Sequence, residues 1–350
     1  MKDLLSNKIL AWYDNHQRDL PWRRYRGRKD RIYKVLVSEF MLQQTQVKTV
    51  IPFFNRFIKI FPNLTKLSKS RLPKIYKMWQ GLGYYSRARN LLNTAKTIQS
   101  KHKGIVPCNF EILKSFPGIG DYTASAIMSI AFDKDFVAID GNVERFIARS
   151  FGYKNNKEKF KENIFLKLQE IKPKKNFSNF TQALMEIGAL ICTPKNPKCD
   201  VCPIKSNCIA LKKNNFNYKI LRKNKINIKK YYLLFSFNKN KILFFKDKNK
   251  LLKDFVNLPL IEYKKNKLFD KSFQKKNFSF SGKVRIFNKS YVHNISNIKM
   301  LIKIVIFRRI NKINNNKFYW INSNNIDNSL LSSFSKKFIF LIKNKKISYV

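Results

Sequence analysis

Four cysteines in the segment "CTPKNPKCDVCPIKSNC" constrain this chain more than any other feature. Cys192, Cys199, Cys202 and Cys208 form a C-x6-C-x2-C-x5-C array. Four thiolates in one short loop can surround one metal centre, and the unequal spacers let the chain wrap it, with Pro194 and Pro197 stiffening the first spacer. On spacing alone, an iron–sulfur cluster and a four-cysteine zinc site are both open. The amino terminus, "MKDLLSNKILAWYDNHQRDL", has neither the long apolar core nor the small-residue cleavage site of a signal peptide. No apolar run approaches transmembrane length. The expectation is a soluble cytoplasmic protein, where clustered cysteines serve metals rather than disulfides. Cys108, in "VPCNF", stands far from the array and reads as a small loop residue.

A length of 350 residues suggests two domains, and a hydrophobic content of 44% fits a globular chain. To about residue 210 the patterning is helical, with turn signals between segments at "LPWR", "IFPN", "GLGYY", "FPGIGDY" and "AIDGN". Residues 211–230 are rich in Lys and Asn and read as a linker. Beyond it the texture becomes β-branched and aromatic. "YYLLFSFNKNKILFFKD" predicts a hairpin around Asn-Lys-Asn-Lys, and "RIFNKSYVHNISNIKMLIKIVIF" predicts further strands. The second domain is therefore expected to be a mixed sheet with a helix near the carboxyl end. A net charge of +51, from 72 Lys and Arg against 21 Asp and Glu, favours nucleic acid first and anionic membranes second. A coding bias toward A and T would also enrich Lys, Asn, Ile and Phe, so the charge permits a nucleic-acid partner without proving one.

Three further stretches carry chemistry. In "VLVSEFMLQQTQV", Glu39 shares a helix face with Val35, Leu36, Leu42 and Gln43, where burial would make it hold its proton as a general acid must. The bland alternative is a half-exposed Glu near a helix start, favoured by the macrodipole. "LKSFPGIGDYTASAIMSIAF" has the form helix, tight turn, helix. Its Pro117, Gly118 and Gly120 shape a turn whose amides open a helix near Tyr122 and suit a phosphate. In "AIDGNVER", Asp140 alone reads as a turn or N-cap aspartate.

Taken together, "SEFMLQQTQV", "GLGYYSRARN", "PGIGDYTA", "DGNV", "MEIGALIC" and the cysteine array follow one another in the order of a known family. Over residues 8–210 the chain resembles the MutY-type adenine DNA glycosylases of the helix-hairpin-helix, endonuclease III superfamily. The resemblance implies a mainly α glycosylase domain over 1–210. It also implies one [4Fe–4S] cluster on the four cysteines, a linker over 211–230 and a smaller α+β Nudix-like domain over 231–350. The implied partner is double-stranded DNA carrying adenine opposite 8-oxoguanine or guanine, met by a monomer at the nucleoid. Glu39 is implied to protonate the adenine ring and Asp140 to stabilise the oxocarbenium-like sugar. Tyr122 stands where bifunctional relatives carry a lysine that attacks the sugar; a phenol cannot form a Schiff base. That implies hydrolysis of the N-glycosidic bond without strand cleavage.

The resemblance further implies that Gln44 and Tyr84 fill the gap left by the extruded nucleotide. Leu20, Arg23 and Glu186 are implied to line the adenine pocket, while Lys195, Lys198 and Lys205 would present charge to phosphates. The second half departs from the family. Ile295, Ser296 and Asn297 stand where relatives often have Phe-Ser-His, so only Ser296 survives as an 8-oxoguanine contact, and "LLKDFVNLP" lacks the expected glycines and tryptophan. No Nudix hydrolase glutamate array is present in the sequence. Two other readings stay open: a bifunctional glycosylase with lyase activity, and a non-catalytic DNA-binding relative.

Overall fold

The computed structural model describes residues 2–154, 159–217, 227–246, 256–263, 278–280, 284–295, 298–307, 310–328 and 331–344. By internal contacts the chain divides into two compact units, 1–221 and 222–350.

The first unit is helical. In order it contains α1 (Lys2–His16), α2 (Arg28–Leu42), α3 (Val47–Ile60), α4 (Leu64–Ser68), α5 (Leu72–Trp79) and α6 (Ser86–Lys101). There follow α7 (Phe110–Ser115), α8 (Asp121–Ala126), α9 (Gly141–Phe151), α10 (Phe160–Ile171), α11 (Phe177–Glu186) and α12 (Ile209–Lys212). Helices α8 and α11 each run on into a π-helical turn, Ile127–Ala131 and Ile187–Ile191. Such turns often accompany functional sites.

Two helical groups make the unit. Helices α2 to α6 pack on one another, with Leu36, Phe40, Phe57 and Trp79 completely buried. Helix α1 crosses back onto α10 and α11, and a second core joins Ile9 and Tyr13 to Phe146, Leu168, Phe180 and Leu184. The π turn after α8 touches both α2 and α11, so it connects the two groups. Glu39 belongs to the first group and Asp140 to the second.

The predicted hairpin is present as α7, a turn over residues 116–120, and α8. Asn109 caps α7, its side chain accepting from the Ile112 amide at 3.0 Å. Gly118 must be glycine on two counts. Its φ is +81°, and an added Cβ would lie 2.7 Å from the Asn90 amide nitrogen and 3.1 Å from the Phe40 ring. The hairpin turn is therefore pressed onto α2 beside Glu39.

Described structure continues on both sides of residues 218–226. Helix α12 ends at Lys212, and Phe216 is still held by the Arg149 guanidinium, whose Nε donates to its carbonyl at 2.9 Å. Strand β1 (Asn227–Asn238) then begins before residue 231. Lysines 229 and 230 hid its start, yet its backbone pairs continuously from Asn227↔Ile298 onward.

The second unit is a mixed sheet with β2 (Lys241–Phe245), β3 (Leu260–Glu262), β4 (Phe278–Phe280), β5 (Val284–Ile295), β6 (Ile298–Phe307), β7 (Ile310–Ile313) and β8 (Phe318–Asn322). The order is β5-β6-β1-β2-β8, with β3 also on β1 and β4 paired to β7. Strands β1 and β6 run parallel, and the other pairs are antiparallel. The Asn-Lys-Asn-Lys turn joins β1 to β2 through the pair Asn238↔Lys241. Helix α13 (Ser333–Asn344) covers one face through Phe334, Phe338 and Ile342, which pack with Leu233, Phe235 and Ile304. Tyr232, Leu234 and Val305 form a separate core on the opposite face. Burial on both faces explains the unbroken apolar run in β1, where a one-sided strand would alternate. Ser296 and Asn297 lie outside the described residues; the strands around them pair as far as Ile295↔Ile298.

Candidate active site

Glu39 sits in the last turn of α2, not near its start, and is 6% exposed. The stretch from Val35 to Met41 is buried on every side, so the acid cannot turn its face to water. Burial, helped by the negative charge of Asp140 and opposed by a hydrogen bond with Tyr122, raises its pKa from 4.5 to about 7. The negative end of the helix dipole points the same way. The macrodipole account of this residue is thus inverted: the helix disfavours its charge.

Tyr122 stands in the first turn of α8, immediately after the hairpin turn. Its hydroxyl hydrogen-bonds Glu39, and desolvation, reinforced by both carboxylates, pushes the phenol pKa well up. It stays a neutral donor. Gln43, just beyond α2, fixes the same corner by donating from Nε2 to the Gly118 carbonyl at 3.1 Å and to the Thr123 hydroxyl at 3.3 Å.

Asp140 caps α9. Its Oδ1 accepts from the amides of Asn142 and Val143 at 2.9 and 2.7 Å, and its Oδ2 accepts from the Asn142 side chain at 2.8 Å. The bland N-cap reading is therefore correct geometry, and the same carboxylate also acts electrostatically on Glu39. A buried arginine extends this corner. Arg145 donates to Asn142 Oδ1 at 2.9 Å, to the Gly188 carbonyl at 2.5 Å and to the Cys192 carbonyl at 2.7 Å. One guanidinium thus connects the Asp140 cap to the first cysteine of the array.

Gly188 lies where α9 and the π turn meet. An added Cβ would stand 2.6 Å from the Asn142 carbonyl oxygen. Gly188→Ala is expected to cost about 1–3 kcal/mol. By displacing Asn142 and with it Asp140, it should slow any reaction that uses the Asp140 carboxylate about 100-fold. Urea denaturation and single-turnover kinetics read the two effects separately.

The residues expected at the base pocket are partly assembled. Glu186 is completely buried, and Arg23 donates to its Oε1 at 2.6 Å while Arg18 Nε approaches at 3.3 Å. The Arg18 amide donates to Oε2 at 3.2 Å, and Arg23 Nε donates to Gln182 at 2.7 Å. Leu20 is buried directly before the 3-10 turn Pro21–Arg23. Arg18 was not legible as part of this cluster. Gln44 and Tyr84 are both exposed, Tyr84 by 49%, and both hold left-handed backbones with φ of +55° and +47°. Non-glycine residues in that conformation are uncommon and concentrate at functional sites. Gly120 is the N-cap of α8, with open space beside its Cα.

All four array cysteines line a single pocket, together with Phe146, Ile191 and Leu211. Cys192 ends the π turn after α11, Cys199 opens a 3-10 turn, and Cys202 and Cys208 each end one. Arg149 ties the loop down, donating to Thr193 at 2.7 Å and Pro194 at 3.0 Å and approaching the Cys192 sulfur at 3.6 Å. Burial pushes the Cys202 thiol up to about 11, so a bound metal centre is needed to hold it as thiolate. Four thiol side chains facing one pocket suit a soft, thiolate-bound centre. Lys195, Lys198 and Lys205 are exposed on the same loop. Cys108 is exposed and stands outside the pocket. Cys202→Ala is expected to remove the metal and more than about 4 kcal/mol of stability, as loss of a structural centre does. Loss of bound metal on elemental analysis, with a lowered denaturation midpoint, would register it.

Arg87, Arg145 and Arg149 were missed by sequence reasoning. Each lies in a quoted motif or beside one, but 72 basic residues gave them no distinction. Their signal is burial, at 5%, 7% and 6% exposure, which lysines on a solvated face do not share.

Residues 37–174 match the family model described as HhH-GPD superfamily base excision DNA repair protein. Residues 192–208 match the iron-sulfur binding domain of endonuclease III, which decides between the iron–sulfur and zinc readings of the array. Fold and site thus define a helix-hairpin-helix base excision repair glycosylase with an iron–sulfur binding domain. Among solved structures, a thermostable thymine-DNA glycosylase is similar at 28% identity and a TM-score of 0.54, covering 61% of this chain and 97% of that one. An endonuclease III–DNA complex shares the fold at 21% identity and a TM-score of 0.51, over 61% and 98% of the two chains.

An adenine DNA glycosylase of Buchnera aphidicola subsp. Baizongia pistaciae is 39% identical over 326 residues, 91% of this chain and 90% of that protein. That of Buchnera aphidicola subsp. Schizaphis graminum is 43% identical over 232 residues, 65% of each. The human adenine DNA glycosylase is 40% identical over 210 residues, which span 58% of this chain and 38% of that protein. The chain belongs to the adenine DNA glycosylase family. Among the described residues, no helix is long and apolar enough to cross a membrane.

Proposed function

We propose that this protein is a monofunctional adenine DNA glycosylase of base excision repair, acting as a monomer on duplex DNA with adenine opposite 8-oxoguanine or guanine. The observation that carries this reading is the buried Glu39, with a pKa of about 7, hydrogen-bonded to Tyr122 and coupled to Asp140. Two carboxylates with divided roles are what hydrolysis of a glycosidic bond requires.

The target nucleotide is first extruded from the duplex, at a cost of a few kcal/mol. Stacking of Tyr84 in the gap beside Gln44 offsets part of that cost. Leu20, Arg23 and Glu186 line the pocket that receives the base. Glu39 then gives its proton to a ring nitrogen, so the C1′–N9 bond breaks with adenine leaving as a neutral base. The carboxylate of Asp140 faces the positive charge that develops on the sugar. Water adds at C1′, gives up a proton to the Glu39 carboxylate left by the first step, and leaves an abasic site. Tyr122 offers no amine for a Schiff base, so the strand stays intact.

Cys192, Cys199, Cys202 and Cys208 would hold one [4Fe–4S] cluster, which pins the loop bearing Lys195, Lys198 and Lys205. Together with the Gly118–Gly120 turn, that loop would grip phosphates. We read 1–210 as the glycosylase domain and 231–350 as a divergent Nudix-like domain, with Ser296 as its contact to 8-oxoguanine.

The test is single-turnover excision from duplexes with adenine opposite 8-oxoguanine, guanine or thymine, with alkali added afterwards. The adenine strand should break opposite the first two bases, and only after alkali. Strand breakage without alkali would assign the protein to the bifunctional class, and tight binding without excision would make it non-catalytic.

A further inference from the structure

We propose that Arg87 is a positioning residue that clamps together the two loops carrying Gln44 and Tyr84 and fixes both to the end of the helix that bears Glu39. This deepens the reading above, since it rests on Gln44 and Tyr84 as the residues that occupy the gap in the duplex.

Arg87 lies in the first turn of α6 and is 5% exposed. Its Nη1 donates to the carbonyls of Met41 at 2.6 Å, Phe40 at 3.3 Å, and Gln43. From the other side of the fork, Nη2 donates to Gly83 at 3.1 Å and Leu82 at 3.3 Å, and Nε to Tyr84 at 3.4 Å. The guanidinium lies 5.6 Å from the Trp79 ring centroid and 5.5 Å from that of Tyr84. Every acceptor is a backbone carbonyl from one of two segments, 40–43 and 82–84.

The carbonyls explain what the cation does. The last turn of a helix leaves its final C=O groups without intrahelical partners. In α2, the Glu39 carbonyl accepts from the Gln43 amide and the Leu42 carbonyl from the Thr45 amide. Those of Phe40 and Met41 are satisfied by Arg87. The helix thus receives its C-terminal cap from α6, and a cation there suits the dipole.

The same fork holds the neighbour of each strained residue. Gln43 precedes Gln44, and the Tyr84 carbonyl itself is an acceptor. Both strained residues have left-handed backbones that unconstrained loops would abandon. An apolar side chain could fill this space, but none could donate to the carbonyls of both segments at once, as the planar five-donor guanidinium does. Because the Phe40 carbonyl is among them, any displacement of either loop by DNA reaches the residue next to Glu39.

The test compares the full-length iron–sulfur protein with Arg87→Lys, which keeps the charge but loses the planar fork. 2-Aminopurine beside the target adenine reports extrusion, and excision is measured at saturating enzyme per active site. Arg87→Lys should bind the duplex within tenfold of wild type, lose most of the fluorescence rise, and excise about 100-fold more slowly. A purely structural role would lower the active fraction and leave the per-site rate and the fluorescence amplitude unchanged; that result overturns the proposal. Tyr84→Ala and Gln44→Ala run in parallel. If both leave extrusion intact, the reading of those residues fails and the clamp falls with it. If they impair extrusion while Arg87→Lys does not, the clamp alone is wrong. Hydrogen exchange on the wild-type protein needs no variant: amides of 42–46 and 81–85 should open as one unit with a common denaturant dependence. Independent opening of the two loops would contradict the clamp.

Discussion

Glu39→Gln is expected to slow adenine excision by about 10³–10⁴-fold while leaving duplex binding near wild type. Glutamine matches the shape of the acid and can accept from Tyr122, but it has no proton to give to the base. The same variant should also be more stable than wild type, with a definite pH dependence. Glu39 ionises near 4.5 when unfolded and near 7 when folded, chiefly through burial. Between those values the folded state holds a proton that the unfolded chain has released. The stabilisation from Glu39 is therefore complete below pH 4.5 and is lost as pH rises to about 7. Glutamine never ionises, so its advantage should grow across that window and level off on the order of 3 kcal/mol above it. Urea titrations at pH 5 and 8 would measure this. Near wild-type excision by the variant would remove Glu39 from the acid role.

Asp140→Asn should slow excision by about 10³-fold, the scale of losing one preorganised electrostatic partner of the developing charge. The variant isolates charge from structure. Asparagine is as good an N-cap as aspartate, so the cap on the amides of Asn142 and Val143 should survive and stability should change by less than ~1 kcal/mol. A second consequence concerns Glu39. The Asp140 charge is the second cause of its raised pKa, after burial. Removing that charge should move the alkaline limb of the residual activity to lower pH. A full rate, or an unmoved limb, would disconnect the two carboxylates.

The parts of the site that were legible in the sequence are those whose chemistry is unusual for their surroundings. An acid inside "VLVSEFMLQQ", a glycine-shaped hairpin turn and four cysteines in one loop all stand out against a basic, helical background. What was illegible depends on contacts between distant segments. Nothing local shows that Glu39 ends α2 rather than begins it, because the helix stops where Arg87 and Gln43 take up its last groups. Arg145 bonds Gly188 and Cys192 across more than forty residues, and in a chain with 72 cations no pattern marks it. Glycine at 188 likewise looks like any helical glycine until Asn142 is placed against it. In the second unit the β-branched and aromatic texture predicted strands, but the parallel pairing of β1 with β6 joins segments about seventy residues apart. Local pattern does not contain such a pairing, whose closure is decided by the buried faces on both sides.

The central claim is that Glu39 keeps its proton up to about neutral pH because it is buried and feels the charge of Asp140. The single-turnover rate of adenine excision as a function of pH tests it most directly. The rate should be level below about 7 and fall tenfold per pH unit above it, and the limb should shift down in Asp140→Asn. A rate that is flat to pH 9, or that rises through neutrality, would mean that Glu39 does not supply the proton.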